Sequence, residues 1–132
     1  MKTKLSNMAT DFETVFAVLK PVLQKHAKRL SVKTDTPTEY TLVTKSASRF
    51  PQHKGQPMDF GSVRLGKAYV SLHLMPLYMN PVLTKSISPA LQKRMQGKTC
   101  FNFKMEPEPD LIADLERLTG MGLEQWGKKK WL

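Results

Sequence analysis

Ser71, His73, Cys100, Asn102 and Lys104 are the residues whose types and spacing come closest to chemistry. They hold the polar positions of two alternating runs, YVSLHLM and KTCFNFK. Successive side chains of a strand point to opposite faces, so each run collects its polar groups on one side. If both runs share a sheet, hydroxyl, imidazole, thiol, amide and ammonium groups meet on one surface. The donors among them suit a carboxylate or a phosphate. Arg64 adds a guanidinium to this set, and Tyr78 a wall. The competing reading is a wetted sheet face that holds no ligand.

Cys100 and His73 are also the one pair with the types of a thiol nucleophile and its base. A thiolate needs a nearby imidazolium or helix N-terminus, and sequence spacing does not show whether the two side chains touch. A buried, inert cysteine is the alternative. The basic segment with Arg49, Phe50, His53 and Lys54 has the types for phosphate contact and base stacking, as does the C-terminal WGKKKWL. Against that stand a solvated loop and tail, with Trp126 packed on the core. The chain has no Cys-x-x-Cys, His-x-x-x-His, Gly-x-x-x-x-Gly-Lys, Gly-x-Gly-x-x-Gly or Gly-x-Ser-x-Gly motif. No cofactor or metal is expected.

The elements that must position these groups follow from hydrophobic period and breakers. Phe12, Val15, Phe16, Leu19, Val22, Leu23, His26, Ala27 and Leu30 keep helical spacing, with Thr10 and Glu13 as a capping box. Pro21 within the pattern predicts a kink or two abutting helices. The period then falls to two. SVKTD, a TPT turn and EYTLVTK predict one hairpin. MDFGSVRL and KAYVSLHLM predict a second, around a Gly66-Lys67 type II′ turn, with Val63, Leu65, Val70, Leu72 and Leu74 facing the core. RFPQHKGQP between the hairpins reads as an exposed loop.

Asn80-Pro81 and Ser88-Pro89 are two helix-start signals, the second opening a helix through ALQKRMQ that stops at Gly97. KTCFNFKM then predicts a last strand with Phe101, Phe103 and Met105 inward. Pro109 opens a final helix with Leu111, Ile112, Leu115 and Leu118 buried, expected to end at Gly120 and Gly122. Adjacent hairpins with helices at both ends predict an α+β domain. Its antiparallel sheet has about five strands, with the N- and C-terminal helices packed on one face.

At 132 residues the chain fits one domain, with a core large enough to need no disulfide or metal. Hydrophobic content of 40% and charged content of 24% fit a globular protein rather than a disordered or fibrous one. Lysine and arginine number 21 against 11 acids, a net charge of +10 that favours an anionic partner. One cysteine, no apolar run of leader type and no membrane-length stretch point to a cytoplasmic location without membrane partners.

The order of an N-terminal helix, FGSVRLGKAYVSLHLMP, a proline-started helix, GKTCFNFK and a leucine-rich final helix resembles the YdhG-like family of domains of unknown function. The resemblance spans nearly the whole chain and implies a compact intracellular α+β domain. Some members are described as frataxin-like iron chaperones. That role needs clustered carboxylates, whereas the acids here thin out to Glu106, Glu108, Asp110, Asp114 and Glu116 within a basic chain.

The leading expectation is a nonenzymatic binder of a small anionic ligand through Arg64, Ser71, His73, Asn102 and Lys104, with Tyr78 alongside. Nucleic-acid binding, an iron-chaperone role by resemblance, and a Cys/His-dependent enzyme are the alternatives. Oligomeric state is open.

Overall fold

Residues 11–132 are described by the structure, a computed structural model. Helix α1 (Asp11–Gln24) leads through a 3-10 turn at Ala27–Arg29 into strands β1 (Ser31–Thr36) and β2 (Glu39–Ala47). A loop with a 3-10 turn at Pro51–His53 precedes β3 (Pro57–Leu65) and β4 (Val70–Leu74). Short helix α2 (Pro76–Met79), a 3-10 turn at Pro81–Ser86 and helix α3 (Pro89–Gln92) follow. Strands β5 (Met95–Gln96) and β6 (Cys100–Phe103) and the long helix α4 (Pro109–Lys128) complete the chain. The strands form one antiparallel sheet in the order β1-β2-β3-β4-β6-β5. The α+β expectation holds, with six strands because a two-residue edge strand joins. Among the described residues no helix is long and apolar enough to cross a membrane.

One sheet face carries Tyr40, Leu42, Phe60, Val63, Val70, Leu72, Leu74, Phe101 and Phe103, all buried under α1 and α4. Each large apolar side chain so removed from water stabilises the fold by roughly 1.5–3 kcal/mol. Gly61 lets α1 approach, since a Cβ there would stand 3.1 Å from a Leu23 methyl and 3.0 Å from the His73 carbonyl oxygen. Helix α1 continues through Pro21 to Gln24, and the break falls later, at the turn before Ala27–Arg29. The Thr10–Glu13 capping box begins outside the described residues.

Other local expectations are corrected. The β3–β4 turn centres on Lys67-Ala68, because the Gly66 N–H donates to the Tyr69 carbonyl at 3.0 Å. A Cβ on Gly66 would lie 2.9 Å from that oxygen, so close approach rather than positive φ selects glycine. The shift moves the pairing by two residues and therefore leaves every side chain on its expected face. ALQKRMQ is helical only to Gln92, since Met95 and Gln96 pair with Phe101 and Cys100. Met105 lies beyond the end of β6 and is 70% exposed, not inward. Helix α4 runs through Gly120 and Gly122 to Lys128, because Leu123 and Trp126 extend its buried stripe. That packing outweighs a glycine penalty of about 1 kcal/mol per site.

Asn80 does not cap the turn it precedes. Its Oδ1 accepts the buried Trp126 indole N–H at 2.9 Å. Ser88 does cap α3, its hydroxyl accepting from the Leu91 N–H at 3.2 Å.

His26 sits beside α4, next to the ion pair of Lys25 with Glu116 at 3.3 Å. Burial lowers its pKa from the ordinary 6.5, Lys25 and Arg29 lower it further, and Glu116 opposes them. Its Nε2 is buried with no hydrogen-bond partner among the described residues. The unfolded chain therefore takes up the proton first as pH falls. The stabilisation is complete above about pH 6.5 and declines as pH drops through that value toward the folded pKa. Urea midpoints are expected to be lower at about pH 5.5 than at about pH 7.5, and His26→Leu to shrink the difference. An unchanged difference in the variant would locate the proton uptake elsewhere.

Candidate functional site

Register brings the polar groups together. On the face opposite the core, Thr41, Ser62, His73, Cys100 and Gln96 form one row across β2, β3, β4, β6 and β5. Glu39, Arg64, Ser71 and Asn102 form the next row. The histidine run and the CFNF run thus share a sheet, with their hydrophilic rows aligned. Directly opposite cross-strand side chains lie about 5 Å apart at Cβ, which is contact range for these groups.

Side-chain contact is realised at two of these pairs, Glu39 with Arg64 and His73 with Cys100. His73 Nδ1 lies 3.3 Å from Cys100 Sγ and 2.8 Å from the Thr99 hydroxyl. Thr99 and Cys100 are themselves 3.9 Å apart. Both His73 and Cys100 are half-buried. Burial lowers the His73 pKa below 6.5, the Asp59 carboxylate pulls it back up, and the Arg64 guanidinium lowers it. The ring is therefore neutral at neutral pH and able to accept a proton.

A shallow groove of about 220 Å³ covers this pair, lined also by Thr41, Asp59, Ser62, Arg64 and Ser71. Asp59 reaches it because of a register irregularity: Leu42 pairs with Gly61 but Val43 with Asp59, so β3 carries an extra residue at Phe60. A bulge of this kind reverses the alternation beyond it. Strict alternation from Val63 would have turned Asp59 to the core, and Gly61 inside a strand pattern was the available signal for a bulge. Arg64 is ion-paired, its Nε 3.6 Å from a Glu39 carboxylate oxygen, and the rest of its guanidinium stays available. Glu39 is fixed in turn by the Thr41 hydroxyl, which donates at 2.6 Å.

Asn102 and Lys104 line a separate basin of about 400 Å³ at the β5–β6 edge, with Tyr69, Lys93, Arg94 and Gln96. The Asn102 N–H donates to the Arg94 carbonyl at 2.8 Å, which ties the two segments. The Arg94 guanidinium lies 5.9 Å from the Phe103 ring centre. On its other side Arg94 borders a groove that contains Glu106, Glu108, Asp110 and Asp114. The expected donor set is thus divided between two depressions on neighbouring parts of one face. Lys93, Arg94 and Gln96 were missed, because KRMQ reads as helix, whereas tertiary pairing makes Met95–Gln96 an edge strand preceded by a turn at Lys93 and Arg94.

Tyr78 converges on neither depression. The chain leaves β4 at Met75 and enters α2, which carries Tyr78 to a cleft of about 580 Å³ with Leu77, Pro81, Ile87, Met95 and Lys98. It also borders a groove of about 380 Å³ with His53, Asp59 and Met75.

The aromatic groups of the basic loop and tail are used internally. Phe50 meets Trp131 edge-on at 5.3 Å and His53 at 5.7 Å. His53 Nδ1 lies 2.6 Å from the Ser48 hydroxyl. Trp126 is fully buried, Lys129 sits over the Trp131 ring at 5.3 Å, and Lys128 pairs with Glu124 at 3.9 Å. A nucleic-acid reading at these segments rests on charge rather than on open stacking faces. Among the described residues no group of three or more His, Cys, Asp or Glu side chains is gathered to hold a metal ion.

Compared with protein-family models, curated proteins and solved structures, the chain has no significant match.

Proposed function

We propose that this protein is an intracellular, YdhG-like, nonenzymatic domain that binds a small anionic ligand, a phosphate or carboxylate, at the β5–β6 end of its polar sheet face. The observation that carries the reading is the grouping of Lys93, Arg94 and Lys104 with the amides of Gln96 and Asn102 around a basin of about 400 Å³ with no acidic lining residue. None of the three cations takes part in an ion pair among the described residues. The planar guanidinium can hold two anionic oxygens, and the side-chain amides supply further directed donors. Tyr69, 39% exposed, closes one side. The net charge of +10 draws anions toward the surface before these groups orient them.

Titration with inorganic phosphate or succinate is expected to raise the melting temperature saturably, since a ligand that binds only the folded state stabilises it. Each charged hydrogen bond contributes about 1.5–3 kcal/mol, so Arg94→Ala with Lys104→Ala should weaken binding by tenfold or more. An equal shift in the double variant would move the site elsewhere, and no shift for any small anion would end the reading. A single-stranded oligonucleotide bound more tightly than either anion, with affinity falling steeply in salt, would favour nucleic acid instead.

A further inference from the structure

The groove over His73 and Cys100 belongs to the same sheet face but holds different chemistry from the anion basin. Cys100 is the single cysteine of the chain and is half-buried rather than sealed in the core. Its Sγ lies 3.3 Å from His73 Nδ1, a distance within reach of proton transfer from thiol to imidazole. Nδ1 holds either one lone pair or one hydrogen, so Cys100 and the Thr99 hydroxyl at 2.8 Å share a single position. Ser62, cross-strand from His73, is nine-tenths buried and lines the groove. Its hydroxyl opens onto the groove rather than being sealed from solvent. Burial disfavours the imidazolium that proton transfer would create, the Asp59 carboxylate in the same groove opposes that effect, and the Arg64 guanidinium adds to it.

We propose that Cys100 is a reactive thiol, with His73 as its base, that exchanges with small disulfides bearing carboxylates. His73 Nδ1 takes the Sγ proton. The Cys100 thiolate attacks one sulfur of the disulfide, forming a new S–S bond as the original S–S bond breaks. The departing sulfur leaves as a thiolate and takes the proton from the imidazolium. The products are a mixed disulfide on Cys100 and one free small thiol, so the disulfide itself is the only oxidant. No second cysteine exists to resolve the mixed disulfide internally. It persists until an external thiol reverses the exchange.

The preference for carboxylates rests on the anion reading above. Asn102 follows Cys100 by two residues on the same strand face, about 7 Å along β6. Lys104 and Arg94 stand beyond it in the adjoining basin. A small disulfide lying along β6 thus presents sulfur to Cys100 while its carboxylate meets cations.

The test is the rate at which the folded protein reacts, near neutral pH and at low salt, with three probes. They are dithiobis(nitrobenzoate), which is anionic, hydroxyethyl disulfide, which is neutral, and cystamine, which is cationic. Because the chain has one cysteine, every signal reports Cys100. Folded protein is expected to react about tenfold faster than the urea-unfolded chain with the neutral probe, because a positioned base takes the thiol proton as sulfur attacks. His73→Gln is expected to remove that advantage with all three probes, and Arg94→Ala with Lys104→Ala to slow the anionic probe alone. A folded rate at or below the unfolded rate overturns the reactive thiol, and this comparison needs no variant to fold. An unchanged rate in a folded His73→Gln protein overturns the role of His73. Equal salt-corrected acceleration of all three probes overturns the carboxylate preference while the His73-dependent thiol stands, which separates failure of the anion reading from failure of this one.

Discussion

Trp126→Ala is expected to cost about 3–5 kcal/mol of folding stability, a large share of the roughly 5–15 kcal/mol that holds a small domain together. The indole is fully buried at the junction of α4 with the sheet. It meets Phe60 edge-on at 5.3 Å and Trp131 at 5.8 Å. Its N–H donates to Asn80 Oδ1 at 2.9 Å, and Asn80 is itself buried. Truncation therefore opens a cavity and strands a buried amide oxygen. Trp126→Phe retains a ring against Phe60 but still orphans Asn80, a loss of about 1–3 kcal/mol, so it should fall between wild type and alanine. Urea unfolding of the three proteins orders them. An alanine variant within about 1 kcal/mol of wild type would mean that this corner relaxes around the loss.

Gly122→Ala is the second substitution with a large expected effect, about 1–3 kcal/mol of destabilisation from overpacking. A Cβ there would lie 2.7 Å from Pro76 Cβ and 2.8 Å from Pro76 Cγ. The proline ring opens α2 and cannot swing away as a flexible side chain would. Gain in helix propensity offsets at most about 1 kcal/mol. Gly120, two residues earlier in the same helix, has no atom within 4 Å of the corresponding position. Gly120→Ala should therefore be neutral or stabilising by up to about 1 kcal/mol. Equal melting temperatures for the two alanine variants would refute the close contact. Only Met75 separates Pro76 from β4, so pressure there acts on the end of the strand that carries His73.

Much of the fold was readable because local pattern and tertiary demand agree. The alternating runs containing Leu72, Leu74, Phe101 and Phe103 are strands with those residues in the core. The SVKTD–EYTLVTK hairpin closes where TPT predicts, with the Thr36 hydroxyl accepting the Glu39 N–H at 3.0 Å. Agreement failed where neighbours overrode propensity. Residues 93–96 read as helix, yet Met95 and Gln96 pair with β6 and bring Lys93, Arg94 and Gln96 beside Asn102. Gly120 and Gly122 read as a helix end, yet the buried stripe continues past them to Trp126.

The alternation of residue types along β4 and β6 was enough to assign His73, Ser71, Cys100 and Asn102 to one side of a pleated layer, since side-chain direction in a strand is a local property of the backbone. Which of those groups touch depended on strand register, on a bulge at Phe60 that turned Asp59 outward, and on the helix that carried Tyr78 away. Those are outcomes of pairing between distant segments, and distance in space is not encoded in the spacing of one strand.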